Sequence, residues 1–180
     1  MSISDIKARI GDFAKDTRIN FPKIFTPDGA QGLSEKQIFT IALSCAYSLD
    51  NKDLVAAIKS DGAEHLDADY IQAAQSAASI MAMNNVYYRF IHLVEDSEFA
   101  QMPAGLRMQV IMNSGIDKKD FELLALAVSA INGCGMCMDS HVKTLLKEGV
   151  TKTSIQSAIK IASVVTAADQ SLKISEIEKE

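Results

Sequence analysis

This chain of 180 residues offers almost nothing from which a β-sheet could be built. No run of β-branched residues alternates with polar ones, and only three prolines and nine glycines punctuate it, most of them between periodic apolar segments. The chain is thereby confined to helices packed on helices. Ser34-Glu35-Lys36-Gln37 has the form of a capping box ahead of the apolar run Ile38 to Leu49. Asn51 is placed to cap a helix that stops at Gly62. Asp67 to Met83 is Ala-rich and helical; Asn84-Asn85 interrupts or ends it, and Val86 to Val94 is its continuation. Asp117 caps a helix through Ile131, and Asn132-Gly133 breaks it. Cys134 opens another helix ending at Gly149, and Thr151 or Thr153 caps a long one to about Leu172, before a polar tail. Residues 2–19 read as one mixed-polarity opening helix. Residues 20–32, with Pro22, Pro27 and Asp28-Gly29, read as loop.

A weak internal repeat accompanies this order. Ile41-Ala42-Leu43-Ser44 resembles Leu126-Ala127-Val128-Ser129, Gly62 matches Gly149, and Ile71-Gln72-Ala73-Ala74 matches Ile155-Gln156-Ser157-Ala158. The expectation is an all-α fold, one domain over residues 1–180. Its two pseudo-repeated halves, about 34–94 and 117–172, would pack about a pseudo-two-fold axis. Only the second half would carry chemistry. In this register Leu49 and Lys52 stand where the second half has its cysteines, and Gln37 stands opposite Glu122.

Charge narrows the function classes. Eighteen basic against 23 acidic residues leave a formal charge of −5, which argues against a nucleic-acid surface. No apolar stretch is long enough to span a membrane. Met1-Ser2-Ile3-Ser4-Asp5 has an early acid and no apolar core of a signal peptide, so a cytoplasmic protein is expected.

Three cysteines are an odd count, and Cys134 and Cys137 form a Cys-x-x-Cys. In a reducing compartment that spacing marks redox or metal chemistry more often than a structural bridge. The segment Asn132-Gly133-Cys134-Gly135-Met136-Cys137-Met138-Asp139-Ser140-His141 puts both cysteines in the first turn of a helix, where free amides and the macrodipole favour a thiolate. Cys134 and Cys137 share a face at a separation suited to a disulfide, and Cys137 and His141 are one turn apart. An imidazole there can take the proton of the sulfur, the nucleophile-plus-base pairing of thiol catalysis. Thioredoxin-style reasoning selects Cys134 as the nucleophile; the spacing to His141 selects Cys137.

Glu122 is the only charged residue between Phe121 and Met138. It is either an acid on the solvated edge of its helix's first turns or a partly buried carboxyl that passes protons. Cys134, Cys137, His141 and Glu122 could also make a tetrahedral zinc site, although a carboxylate fourth ligand is unusual. Two inert core cysteines are the third reading, and the glycines flanking the pair argue for access instead. Cys45 reads as a core thiol, His65 as surface and His92 as a core-edge histidine. Met136 and Met138 could form an apolar pocket, and Tyr87-Tyr88-Arg89 reads as packing or subunit contact. No phosphate loop, dinucleotide fingerprint or flavin motif is present, so no bound cofactor is expected and electrons must come from a dithiol or another protein.

These residues resemble the alkyl hydroperoxide reductase D family of the carboxymuconolactone decarboxylase-like superfamily. The resemblance runs through Met83-Asn84-Asn85-Val86-Tyr87-Tyr88-Arg89, Leu106-Arg107-Met108, Phe121-Glu122-Leu123 and Ala130-Ile131-Asn132-Gly133-Cys134. The family's pattern is Glu, eleven residues, Cys-x-x-Cys, three residues, His, and Glu122, Cys134, Cys137 and His141 meet every spacing. The resemblance implies an all-helical fold of two related halves, usually a homotrimer. It implies a peroxidase for organic hydroperoxides that also re-reduces a partner peroxiredoxin, the reductase's C component. Dihydrolipoamide on a lipoyl-bearing 2-oxoacid dehydrogenase component would be the external reductant. It sides with Cys137 as the thiolate that becomes a sulfenic acid and forms the mixed disulfide with the peroxiredoxin. Cys134 is then proton donor and resolving thiol, and His141 and Glu122 relay protons. Some members carry a second histidine just before the second cysteine; here that position is Met136, which implies a simpler relay. Outside this family, the alternatives are a zinc-stabilised binding module and a decarboxylase-like lyase.

Overall fold

A computed structural model of the chain describes residues 1–178. Helices α1 (Ile3–Arg9), α2 (Lys15–Lys23), α3 (Glu35–Ser48), α4 (Lys52–Asp61), α5 (Ala68–Leu93), α6 (Glu98–Gln101), α7 (Lys118–Ile131), α8 (Gly135–Lys147) and α9 (Lys152–Ile177) follow one another, with no strand among the described residues. Every residue from Ile38 to Ala46 in α3, and from Phe121 to Ser129 in α7, is buried. A helix that is apolar all round needs neighbours on every side. So α3 lies against α4, α5, α7 and α9, while α7 lies against α3, α5, α8 and α9. Fully buried side chains such as Ile38, Ile41, Leu43 and Leu124 contribute roughly 1.5–3 kcal/mol each to holding that centre together. Small residues let the long helices close on it: Ala73, Ala74 and Ala77 on α5, and Ala158, Ala162 and Ala168 on α9.

The two halves are visible as matching triplets. Helices α3, α4 and α5 have 14, 10 and 26 residues; α7, α8 and α9 have 14, 13 and 26. Helix starts and caps correct the register read from the sequence. Asn51, N-cap of α4, receives the amide of Leu54, as Cys134, N-cap of α8, receives that of Cys137. Asn51 and Leu54, two residues further on than Leu49 and Lys52, are therefore the counterparts of the cysteines. Gln37 is engaged elsewhere, closing the capping box with Ser34 and donating to Asp120 across the two halves at 2.7 Å.

Four local expectations change. The opening segment is split, because Ile10 and Gly11 are extended and turn the chain so that Ile3, Ile6 and Ile10 all enter the core. Helix α2 runs to Lys23 with Pro22 in its last turn, so the loop starts later. Helix α9 continues five residues past Leu172 to Ile177, and the end of the expected tail, residues 179–180, lies outside the described residues. Asn84-Asn85 neither ends nor interrupts α5. Asn85 donates to Ser129 Oγ at 2.9 Å and accepts from Asn132 Nδ2 at 2.9 Å, so tertiary hydrogen bonds outweigh the poor helix propensity of the pair. No helix among the described residues is long and apolar enough to cross a membrane.

Candidate active site

The site begins where α7 ends. Gly133 takes a left-handed φ of +69°, a conformation that a Cβ disfavours, and this turn delivers Cys134 to the first position of α8. Cys134 itself caps the helix: its Sγ accepts the amide of Cys137 at 3.3 Å. The two sulfurs are joined as a disulfide, with Cα atoms 5.3 Å apart. Access to the two differs. Cys134 has no exposed surface, whereas Cys137 keeps 7%.

Helices α7 and α8 pack side by side, which brings Glu122 to His141. Glu122 Oε2 and His141 Nδ1 are 2.7 Å apart and both residues are buried, so the solvated-edge reading of Glu122 is overturned. An ionised carboxylate only accepts, so in that state Nδ1 is the donor of this bond and Nε2 is the ring nitrogen it leaves free. His141 is one helical turn from Cys137 on α8.

These groups open onto a cleft of about 340 Å³. Helix α8 contributes Met136, Cys137, Ser140 and His141, and α7 contributes Glu122. The facing wall is Met81, Asn84 and Tyr88 of α5, closed over by Met108 and Ile111 of the segment before α7. Cys134 is absent from the lining. A larger, more open depression of about 770 Å³, bordered by Tyr47, Gln75, Arg89 and Asn132, holds none of the four motif residues, whereas Glu122, Cys137 and His141 all line the smaller cleft. The arrangement is a buried, mostly apolar chamber with one reachable sulfur and one acid–base pair, suited to a small apolar molecule with a reactive polar end.

The remaining sequence candidates fall into place. Cys45 is fully buried, and burial pushes its thiol up to about 12, so it stays protonated and inert. Met136 lines the cleft, while Met138 packs against the main core. His65 is half-buried, stacked on Phe39 with ring centres 5.4 Å apart, and is less exposed than expected. His92 is exposed and not at a core edge. Among the described residues no group of three or more His, Cys, Asp or Glu side chains is placed to hold a metal ion. Sequence reasoning missed the whole α5 wall. Its one signal was two adjacent asparagines inside an otherwise Ala-rich helix, where such residues are unfavourable unless something holds them.

Comparison with known proteins adds to this geometry. Residues 97–177 match the carboxymuconolactone decarboxylase family. A protein named alkyl hydroperoxide reductase AhpD from Coxiella burnetii is 50% identical over 164 residues, which cover 91% of this chain and 93% of that protein. Proteins of the same name from Brucella suis and Brucella abortus are each 47% identical over 178 residues, covering 99% of this chain and 100% of theirs.

Proposed function

Given that this chain belongs to the alkyl hydroperoxide reductase D family, within the carboxymuconolactone decarboxylase-like superfamily, we propose that it reduces organic hydroperoxides at Cys137 and returns electrons to a partner peroxiredoxin. Its broader character is that of a thiol-based oxidoreductase of the peroxidase type, with a redox-capable Cys134–Cys137 pair. The observation that carries the finer reading is the unequal access of the two sulfurs. Cys137 lines the cleft beside the Glu122–His141 pair, and Cys134 is sealed behind it.

In the proposed cycle the Cys137 thiolate, its proton taken up through His141, attacks the terminal oxygen of R–O–O–H. The O–O bond breaks, a Cys137 sulfenic acid forms, and the alkoxide leaves. Cys134 gives its proton to that alkoxide, which departs as the alcohol. The Cys134 thiolate then attacks the Cys137 sulfur, and the hydroxide that leaves is protonated through His141 and Glu122 to water. Two thiols are oxidised to one disulfide as one peroxide is reduced to alcohol and water. Dihydrolipoamide, arriving on a lipoyl-bearing 2-oxoacid dehydrogenase component, reopens the disulfide and is oxidised to lipoamide. With a peroxiredoxin disulfide as acceptor, Cys137 forms the mixed disulfide and Cys134 resolves it. We further propose that the chain works as one domain over residues 1–180, in the cytoplasm, as a homotrimer.

The test is thiol counting by alkylation and intact mass after denaturation, before and after one equivalent of an organic hydroperoxide. Reduced protein should fall from three reactive thiols to one, Cys45 being the survivor. Cys137→Ser should show no oxidation, and Cys134→Ser should hold a trappable sulfenic acid on Cys137. A sulfenic acid trapped instead on Cys134 in the Cys137→Ser variant would reverse the order. Three thiols surviving peroxide would remove the peroxidase reading, and turnover persisting without either cysteine would favour a lyase.

A further inference from the structure

Asn84 and Asn85 are adjacent in the sequence but differ in what holds them. The amide of Asn85 is tied at both ends, to Ser129 and to Asn132. Asn84 lines the cleft, is only 5% exposed, and its amide oxygen has no hydrogen-bond partner among the described residues. Burying an unpaired amide oxygen is costly, and no protein group among the described residues pairs with this one. Tyr88, one helical turn further along the same face, contributes the other polar group of this wall. Its hydroxyl has only a long contact to Met108 Sδ at 4.0 Å. The rest of the wall is apolar: Met81, Met108 and Ile111, with Met136 opposite.

We infer that Asn84 is a substrate-positioning residue, whose carboxamide takes hold of the peroxide group facing Cys137. This deepens the peroxidase reading and rests on it. A hydroperoxide offers one O–H donor and two acceptor oxygens. The Asn84 amide oxygen is buried as the side chain stands, so the carboxamide turns on binding for that oxygen to accept the O–H while its NH₂ donates to the oxygen that leaves as alkoxide. Charge develops on that oxygen as the O–O bond breaks, so the donor acts in the transition state as well as in binding. The alkyl group lies against the methionines and Ile111. The two faces of the chamber then divide the work, α8 supplying the sulfur and α5 aiming the oxidant at it.

The two halves of the catalytic cycle separate this role from a structural one, because only oxidation involves a peroxide. Asn84→Leu removes the unpaired oxygen at similar volume, so its Tm should match or exceed that of the unaltered protein. Single-turnover oxidation of the reduced variant by cumene hydroperoxide should slow by about tenfold or more, toward the ~100-fold that one donor to a developing oxyanion supplies. Reduction of its disulfide by dihydrolipoamide should slow several-fold less than oxidation does, so the ratio of the two rates shifts. Asn84→Ser, smaller and able to donate, should recover part of the oxidation rate, and its selective slowing decides the matter if Asn84→Leu does not fold. Equal slowing of both half-reactions with a lowered Tm, or no change in either, would overturn the assignment. If the unaltered protein itself is not oxidised by the peroxide, the peroxidase reading fails instead.

Discussion

Glu122 is the residue whose environment changed most between sequence and structure, and it makes the sharpest single-site test. Its carboxylate holds the Nδ1 side of His141 inside the protein, so it orients the ring and stabilises positive charge on it when a proton arrives. Gln in its place keeps an oxygen that can accept from Nδ1 and fills the same space, but it carries no charge to balance the imidazolium. We expect Glu122→Gln to lower the oxidation rate by about 100-fold, the lower end of what a positioned acid–base group contributes. Its Tm should change by only a few degrees, because a hydrogen bond survives. Stopped-flow oxidation and a thermal melt on the same preparation check this; a large loss of Tm with normal turnover would make the pair structural. Three of the four motif residues were legible in the sequence because their spacing is local: helical turns put Cys134, Cys137 and His141 on one face. The contact from Glu122 to His141 was only half legible. Which face of α7 meets α8 depends on the angle at Gly133, and no spacing rule encodes that angle.

Helix α5 shows where sequence reading runs out at the scale of an element. The Asn84-Asn85 pair looked like a break because propensity is a local quantity. The helix is continuous because Asn85, Ser129, Asn132 and Arg89 form one chain of hydrogen bonds, ending in Arg89 Nη1 to the Asn132 carbonyl at 2.6 Å. That chain grips the turn immediately before Cys134, so α5 holds the cap of α8 from outside. Asn85→Ala should leave the Asn132 amide without a partner and Ser129 Oγ with only its bond to Met81 Sδ at 3.5 Å, and cost about 1–3 kcal/mol. The loss should appear as a fall in Tm or denaturant midpoint. Because the loosened turn carries Cys134 and not Cys137, closure of the disulfide should slow more than formation of the sulfenic acid. Rapid-quench trapping resolves the two steps. Equal effects on both would mean that the network supports the fold without steering the resolving thiol. By contrast, the capping signals at Ser34, Asn51 and Asp117 lie at observed helix starts, and of Thr151 and Thr153 it is Thr151 that caps α9, since a cap is written in neighbouring residues.

At the scale of the whole molecule, α5 presents two opposite faces with opposite fates. Met81, Asn84 and Tyr88 form the cleft wall, while Val86, Phe90 and Leu93 point away from it and are exposed at 62%, 48% and 70%. Phe90 also packs edge-on against Phe99, ring centres 5.2 Å apart, and Met102 beyond it is exposed, so the apolar surface extends past the helix into the segment that follows. A continuous apolar stripe is what a subunit contact needs, area to bury, and the exposed acids Glu95, Asp96 and Glu98 sit at its margin. Covering it with a second copy would brace α5 from behind and hold its front face at a fixed distance from Cys137. A homotrimer built on this stripe should therefore be lost when Phe90 is replaced by Asp, because a carboxylate buried at each contact carries a desolvation penalty without a partner. Light scattering behind size exclusion should give three times the 19.5 kDa chain mass for the unaltered protein and a single chain mass for Phe90→Asp. If the cleft wall depends on that brace, the monomer should still exchange its disulfide with dihydrolipoamide while reacting more slowly with hydroperoxide. A Phe90→Asp protein that remains trimeric would place the contact on another surface.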